Sequence, residues 1–409
     1  MQLVPVSIES IRIGQPLPFP LMDREGVLLA RKSFVITSRS DLIGFSNRSG
    51  GLYIDVSDSE AHHRAYVGQL NDMVRDGRSL GEIADAKILA PKADIRETDD
   101  NERPDWLDLQ VQGNALLRDG QSTHFLERLE RLYQQLALHS HRNPDGTLFA
   151  LIHLSATETR MYSATHAMLV SVMCGLAARE VLNWAPDVEA IVCKAALTMN
   201  VGMTELQDRL ALQTDVVSPT QRKLIDEHPT RSMEKLMAFG VTDALWLQAV
   251  AQHHTQAPGP LHTRPPAERL ARLIQRADMF TAQLAPRVSR TSVSPAAAMQ
   301  ACYFDENRQI DDAGAALIKA VGIYQPGSFV KLLSDEVGVV IKRGQNTATP
   351  KVAVLINRNG MPTVEPMVRD TGLGDYKVVT SVPHRDVRVQ INLERLLPLT
   401  VPGNSDRPW

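Results

Sequence analysis

A chain of 409 residues with 43% hydrophobic and 22% charged side chains has an ordinary globular composition, long enough for two or three domains. A formal net charge of −3 argues against a dedicated nucleic-acid surface, so no nucleic-acid polymer is expected as a partner. The opening Met1–Val6 stretch lacks a basic patch followed by an apolar run, and no segment approaches the roughly 18–20 apolar residues of a membrane span. A cytoplasmic protein is expected, with Cys174, Cys193 and Cys302 as scattered buried thiols.

Residues 1–60 read as short strands forming a small β-rich module. A hairpin turn falls at Asp23–Gly26, strand-like runs lie at Ser33–Thr37 and Leu52–Val56, and a short helix is predicted around Asp41–Phe45. Residues 61–105 carry a polar helix that starts at Ser59, then an acidic linker from Pro91 towards Asp108, with the main boundary near 105. Residues 106–325 read almost wholly as helix. Leu107–Leu138 is amphipathic, and His139 and His141 then fall in a solvated loop before the turn Asn143–Gly146, with no partner carboxylate at ligand spacing.

Thr157–Arg179 and Asp187–Met199 are rich in small and apolar residues and predict two more helices. Ser218, Pro219 and Gln221 form the cap, first turn and capping box of a helix running to His228, where Pro229 marks a bend or boundary. Thr242–His254 and Pro266–Leu284 supply further helices. From 326 to 409 the period changes. Ser328–Leu332, Glu336–Ile341, Lys351–Ile356 and Tyr376–Val379 are strand-like, giving a β-rich extension and tail.

The residues that carry chemistry are His166, His228, the pair His253-His254, and Asp278. Imidazoles and a carboxylate spaced along helices suit a metal-dependent phosphohydrolase, because a metal polarises a phosphoryl oxygen and generates hydroxide near neutral pH. The plain alternative is that all five are hydrogen-bonded within a helical core. Arg287 and Arg290 form a candidate phosphate-binding pair or a solvated basic turn. Arg272, Arg276, His262 and Arg264 would add positive potential if folded towards the same cleft. No phosphate loop, dinucleotide fingerprint or nucleophile elbow is present.

His166, the stretch Ala195–Met203, His228-Pro229, His253-His254 and Arg276–Phe280 occur in an order that resembles the HD-GYP family of bacterial cyclic di-GMP phosphodiesterases. The likeness covers roughly residues 150–345. It implies a mainly α fold: an HD-type helical bundle with a small β-rich N-terminal module and a short β-rich C-terminal extension. The departures bear on function. The family's His-Asp pair falls on Met199 and Asn200, its following Lys on Met203, a glutamate ligand of some members on Tyr162, and no Gly-Tyr-Pro loop follows His254. A thioether and a neutral amide are poor substitutes for imidazole and a bridging carboxylate on hard or borderline metals.

The resemblance with these losses implies a degenerate, catalytically silent protein that needs no cofactor. It would act as a regulatory or binding module in cyclic di-GMP signalling, with a cyclic dinucleotide ligand and bacterial signalling proteins as partners; a homodimer stays open. The alternative is a weak metal-dependent phosphodiesterase holding one Fe, Mn or Zn ion on His228, His253, His254 and Asp278, with His166 nearby.

Overall fold

The computed structural model describes residues 3–6, 11, 17, 20–24, 27–30, 34–36, 52–55, 104–119, 124–157, 161–256, 258–284, 293–387, 389 and 391–401. Contacts divide the chain into units spanning 1–102 and 103–409. The first contains an antiparallel sheet of β1 (Leu3–Val6), β2 (Leu21–Met22), β3 (Leu28–Ala30) and β4 (Leu52–Asp55), in the order β1-β4-β2-β3. Leu17, Leu21, Ile36, Leu52 and Ile54 are its buried apolar residues. The helices expected around 41–45 and from Ser59 lie outside the described residues, as does most of the acidic linker.

The second unit is mainly helical: α1 (Trp106–Arg118), α2 (Phe125–Arg142), α3 (Pro144–Thr157), α4 (Tyr162–Glu180), α5 (Pro186–Thr198), α6 (Thr204–Leu212), α7 (Pro219–Ala238), α8 (Ala244–Gln252), α9 (Pro266–Leu284), α10 (Pro295–Tyr303), α11 (Asp312–Val321) and α12 (Leu393–Thr400). Its centre is α4, buried on every side from Tyr162 to Ala178. The run of Ala, Ser, Gly and Val there carries little charge and lets α1, α3, α5, α9 and α11 pack closely around it. No helix among the described residues is long and apolar enough to cross a membrane.

Several local expectations change. The predicted Leu107–Leu138 helix is two helices, α1 and α2, and Thr157 closes α3 instead of opening α4. Asn143 is not in a simple turn: its side chain accepts from the Gly146 amide, so it ends α2 and caps α3. His139 and His141 sit in the last turn of α2, and His141 Nε2 lies 3.6 Å from the Glu189 carboxylate. The capping box of Ser218 and Gln221 forms as expected, but α7 continues through Pro229 to Ala238.

The C-terminal sheet runs β8-β7-β6-β5-β9, wholly antiparallel, from β5 (Phe329–Leu332), β6 (Val337–Lys342), β7 (Lys351–Ile356), β8 (Pro362–Asp370) and β9 (Val378–Val382). One face buries Phe329, Val339, Ile341, Ala353 and Leu355 with Phe149 of α3 and Leu396 of α12. Gly327, at φ +91°, starts this sheet where a Cβ would lie 2.8 Å from the Phe149 carbonyl oxygen.

Arg272 and Arg276, expected to add charge to a cleft, do structural work instead. Arg272 donates to Asp311 at 2.8 Å and in a fork to Glu306 at 2.8 and 2.9 Å, and Arg276 reaches Glu306 at 3.3 Å. Buried guanidiniums are tolerable only when paired in this way. Asp311 also caps α11 through the Gly314 amide. A Cβ on Gly314 would fall 2.1 Å from the Cys302 carbonyl oxygen, so α10 and α11 pack backbone to backbone there. Gly314→Ala is therefore expected to destabilise the protein by about 1–3 kcal/mol, read as a lowered urea midpoint at unchanged slope; a wild-type midpoint would refute the close packing.

Candidate functional site

Four helices supply the group. His228 lies within α7, His253 and His254 immediately follow α8, and Asp278 and His166 face each other from α9 and α4. The nitrogens of His228, His253 and His254 all lie within 4.8 Å of one another, the one such group of metal-ligating side chains among the described residues. His228 and His253 are buried, while His254 is exposed.

The orientation of each ring follows from backbone chemistry. Pro229 has no N–H, so its position in α7 leaves the Ile225 carbonyl without its normal helical partner. His228 Nδ1 fills that gap at 2.5 Å. His253 Nδ1 meets the Val250 carbonyl at 2.6 Å, where α8 runs out of amide donors. A carbonyl oxygen only accepts, so both Nδ1 atoms carry the proton. The two Nε2 atoms then face each other across 3.1 Å with lone pairs on both.

Protonating one ring would relieve that opposition, but burial works against it. Burial pushes His228 down to about 4 and His253 to about 3, with the neighbouring imidazoles adding to the effect. At neutral pH the pair is uncharged and electron-rich.

Asp278 completes the group. Burial alone would raise its carboxyl, but the His166 hydrogen bond and the neighbouring imidazoles hold it well below the usual carboxylate range. Its Oδ1 accepts from His166 Nε2 at 2.7 Å, and Oδ2 lies 4.0 Å from His254 Nε2. His166 stacks on Tyr162, and its Nδ1 is buried with no hydrogen-bond partner among the described residues. It thus orients the carboxylate; it does not join the three-histidine group.

The residue types fit a single divalent ion. Two neutral imidazole nitrogens 3.1 Å apart match neighbouring ligands at the usual metal–nitrogen distances of about 2.0–2.1 Å, with His254 and Asp278 as further donors. They do not fit a pair of ions. Met199 is fully buried in the main apolar core, Asn200 offers one neutral oxygen that is buried without a partner, and Met203 begins α6 without a cap hydrogen bond. Gly202 is pressed onto α7, its amide donating to Ser232 Oγ at 3.0 Å.

Arg287 and Arg290 lie outside the described residues. Arg264 is buried and donates to the Gly259 carbonyl, and His262 sits on an exposed single turn. Sequence reasoning missed the part played by Pro229: a proline directly after a helical histidine signals a freed carbonyl that the ring itself can satisfy.

No protein-family model matches the chain. Among curated proteins it is similar to a cyclic di-GMP phosphodiesterase of Pseudomonas aeruginosa, 24% identical over 236 residues, 56% of this chain and 56% of that protein. The chain thus spans little more than half the length of that relative. Among solved structures it is similar to an HDG"Y"P protein from Bdellovibrio bacteriovorus, at 15% identity and a TM-score of 0.43, covering 77% of this chain and 98% of that one.

The buried neutral imidazoles set an acid limb. Their folded pKa values lie below the unfolded value of about 6.5, so the unfolded chain takes up protons first as pH falls. Stability from this pair is complete above about 6.5 and is lost as pH falls through that value towards the folded pKa values of about 4 and about 3. In metal-free protein, His228→Gln is expected to flatten the urea-midpoint profile between pH 7.5 and pH 4, roughly the span these pKa values bracket. Parallel profiles for variant and wild type would count against burial of neutral rings.

Proposed function

We propose that this chain is a degenerate HD-GYP-type signalling protein that recognises cyclic di-GMP or a related cyclic dinucleotide without efficient turnover. The observation that carries this reading is the pair of residues that stands where the family has its His-Asp pair. The positions of the family's His-Asp pair are taken by Met199, sunk in the apolar core, and Asn200, a neutral amide. A bridging carboxylate neutralises and spaces two metals, and an amide does neither, so the two-ion clamp on attacking and leaving oxygens is not available. The cyclic di-GMP part of the proposal draws on the Pseudomonas relative, named as a phosphodiesterase for that ligand.

The surviving half-site favours one ion. His228, His253, His254 and Asp278 would hold a divalent Fe, Mn or Zn, which supplies positive charge to anchor a phosphodiester oxygen. His166 keeps the Asp278 carboxylate turned and ionised, and the two carbonyl contacts keep the His228 and His253 lone pairs aimed inward. The second reading, a weak phosphodiesterase, rests on the same opposed lone pairs, because a single ion can also activate water.

Metal analysis joined to a cyclic di-GMP binding and hydrolysis assay separates the two. The expected result is no more than about one ion per chain, saturable cyclic di-GMP binding and no multiple turnover. His253→Ala is expected to weaken metal binding by about 10–100-fold or more. Sustained hydrolysis that disappears in His253→Ala would establish the phosphodiesterase reading instead, and absence of both binding and hydrolysis would remove both.

A further inference from the structure

A second site lies outside the histidine group. Where the end of α1, the Val201–Leu206 stretch and the Leu224–Lys235 stretch of α7 meet, they form a cleft of about 250 Å³ whose lining includes none of the histidines. Four cations line it, Arg118, Arg209, Arg231 and Lys235, against one carboxylate, Glu205. Arg272 and Arg276, by contrast, are spent on carboxylates. Arg209 and Arg231 have no ion-pair or hydrogen-bond partner for their side chains among the described residues.

Arg118 is fixed by Asp208 at 2.5 Å, and Asp208 is itself anchored by the Ser163 amide at 2.8 Å. That holds one guanidinium edge in place and leaves the rest of its fork free for a ligand. Lys235 is similarly placed, donating to the Val201 carbonyl at 3.2 Å with two donors to spare. The α6 N-terminus opens on the same cleft, and Met203, in the cap position, makes no side-chain hydrogen bond to it. Leu117, Leu206 and Leu224 supply an apolar floor. Asp208 on Arg118 and Glu205 in the lining offset part of the repulsion among these cations, and an entering anion would offset more of it.

We propose that this cleft binds a small diphosphate-bearing molecule, gripped by Arg118, Arg209, Arg231 and Lys235, independently of the histidine site. Guanidiniums recognise phosphate oxygens with paired hydrogen bonds, and four cations exceed what a single carboxylate or monoanion needs.

The test is calorimetry on the full chain, stripped of metal by dialysis, with inorganic pyrophosphate and with adenosine diphosphate as probes. Saturable binding is expected for at least one. Tighter binding of the nucleotide identifies an organic diphosphate as the ligand, and equal binding identifies the bare diphosphate. The double variant Arg209→Gln/Arg231→Gln, whose positions are exposed and whose folding is checked by circular dichroism, is expected to bind at least about tenfold more weakly. Arg222→Gln, exposed on α7 but outside the cleft, is expected to bind as wild type, and so is His253→Ala. No saturable binding of either probe, wild-type affinity in the folded double variant, or an equal loss in Arg222→Gln would overturn the proposal. A loss in His253→Ala would overturn it too, by placing the anion at the histidines. Because no metal is present, failure here leaves the cyclic di-GMP reading standing, and failure of that reading leaves this cleft standing.

Discussion

The candidate site depends on one electrostatic constraint: two neutral imidazoles whose Nε2 lone pairs meet at 3.1 Å inside the protein. Neither ring can turn away cheaply. Flipping His228 would set the Cδ2–H edge in place of Nδ1–H against the Ile225 oxygen and return to that carbonyl the deficit created by Pro229. Flipping His253 would do the same at Val250. Protonation is opposed by burial. The fold therefore holds two lone pairs already turned towards each other, so the single ion proposed above would meet ligands that need no reorientation.

Burying Met199 in the main apolar core gains on the order of 1.5–3 kcal/mol of apolar transfer, where an imidazole at that position would need a metal or a hydrogen-bond partner to offset its desolvation. Trp246 of α8 donates to Thr198 Oγ1 at 3.0 Å, so the end of α5 is tied to the helix that carries the histidines. Gly202 is locked to α7, where an added Cβ would lie 2.7 Å from the Ser232 amide nitrogen. The stretch from Thr198 to Gly202 thus packs against α7 and α8.

How much of this was legible in the sequence depended on whether the signal was local. The capping box at Ser218 and Gln221 and the helix Pro266–Leu284 follow from neighbouring residues, and both form where expected. Pro229 misled because helix breaking is a statement about an isolated backbone. In α7 the lost hydrogen bond is replaced by the ring one residue earlier, and the flanking helix is held by its packing. β8 went unread because its face is largely exposed and it contains Pro362 and Pro366, tolerable on a sheet edge and discouraging in any strand-period search. The roles of Arg272 and Arg276 turn on Glu306 and Asp311, some 30 residues away in sequence, which no motif announces.

The same limit hid the basic cleft, whose cations come from three separate helices, and it explains why the family comparison undersold this region. Read along the sequence, Met203 in place of a lysine is simply a lost phosphate contact. In the folded chain, Met203 borders a hollow that already gathers four cations. In α7, Leu224, His228, Arg231 and Lys235 recur at three- and four-residue steps along one side of the helix, with the buried imidazole followed towards the C-terminal end by the two cations. The backbone is fixed at Pro229 and at Ser232, so a ligand at either place meets a helix with little freedom to absorb the change locally.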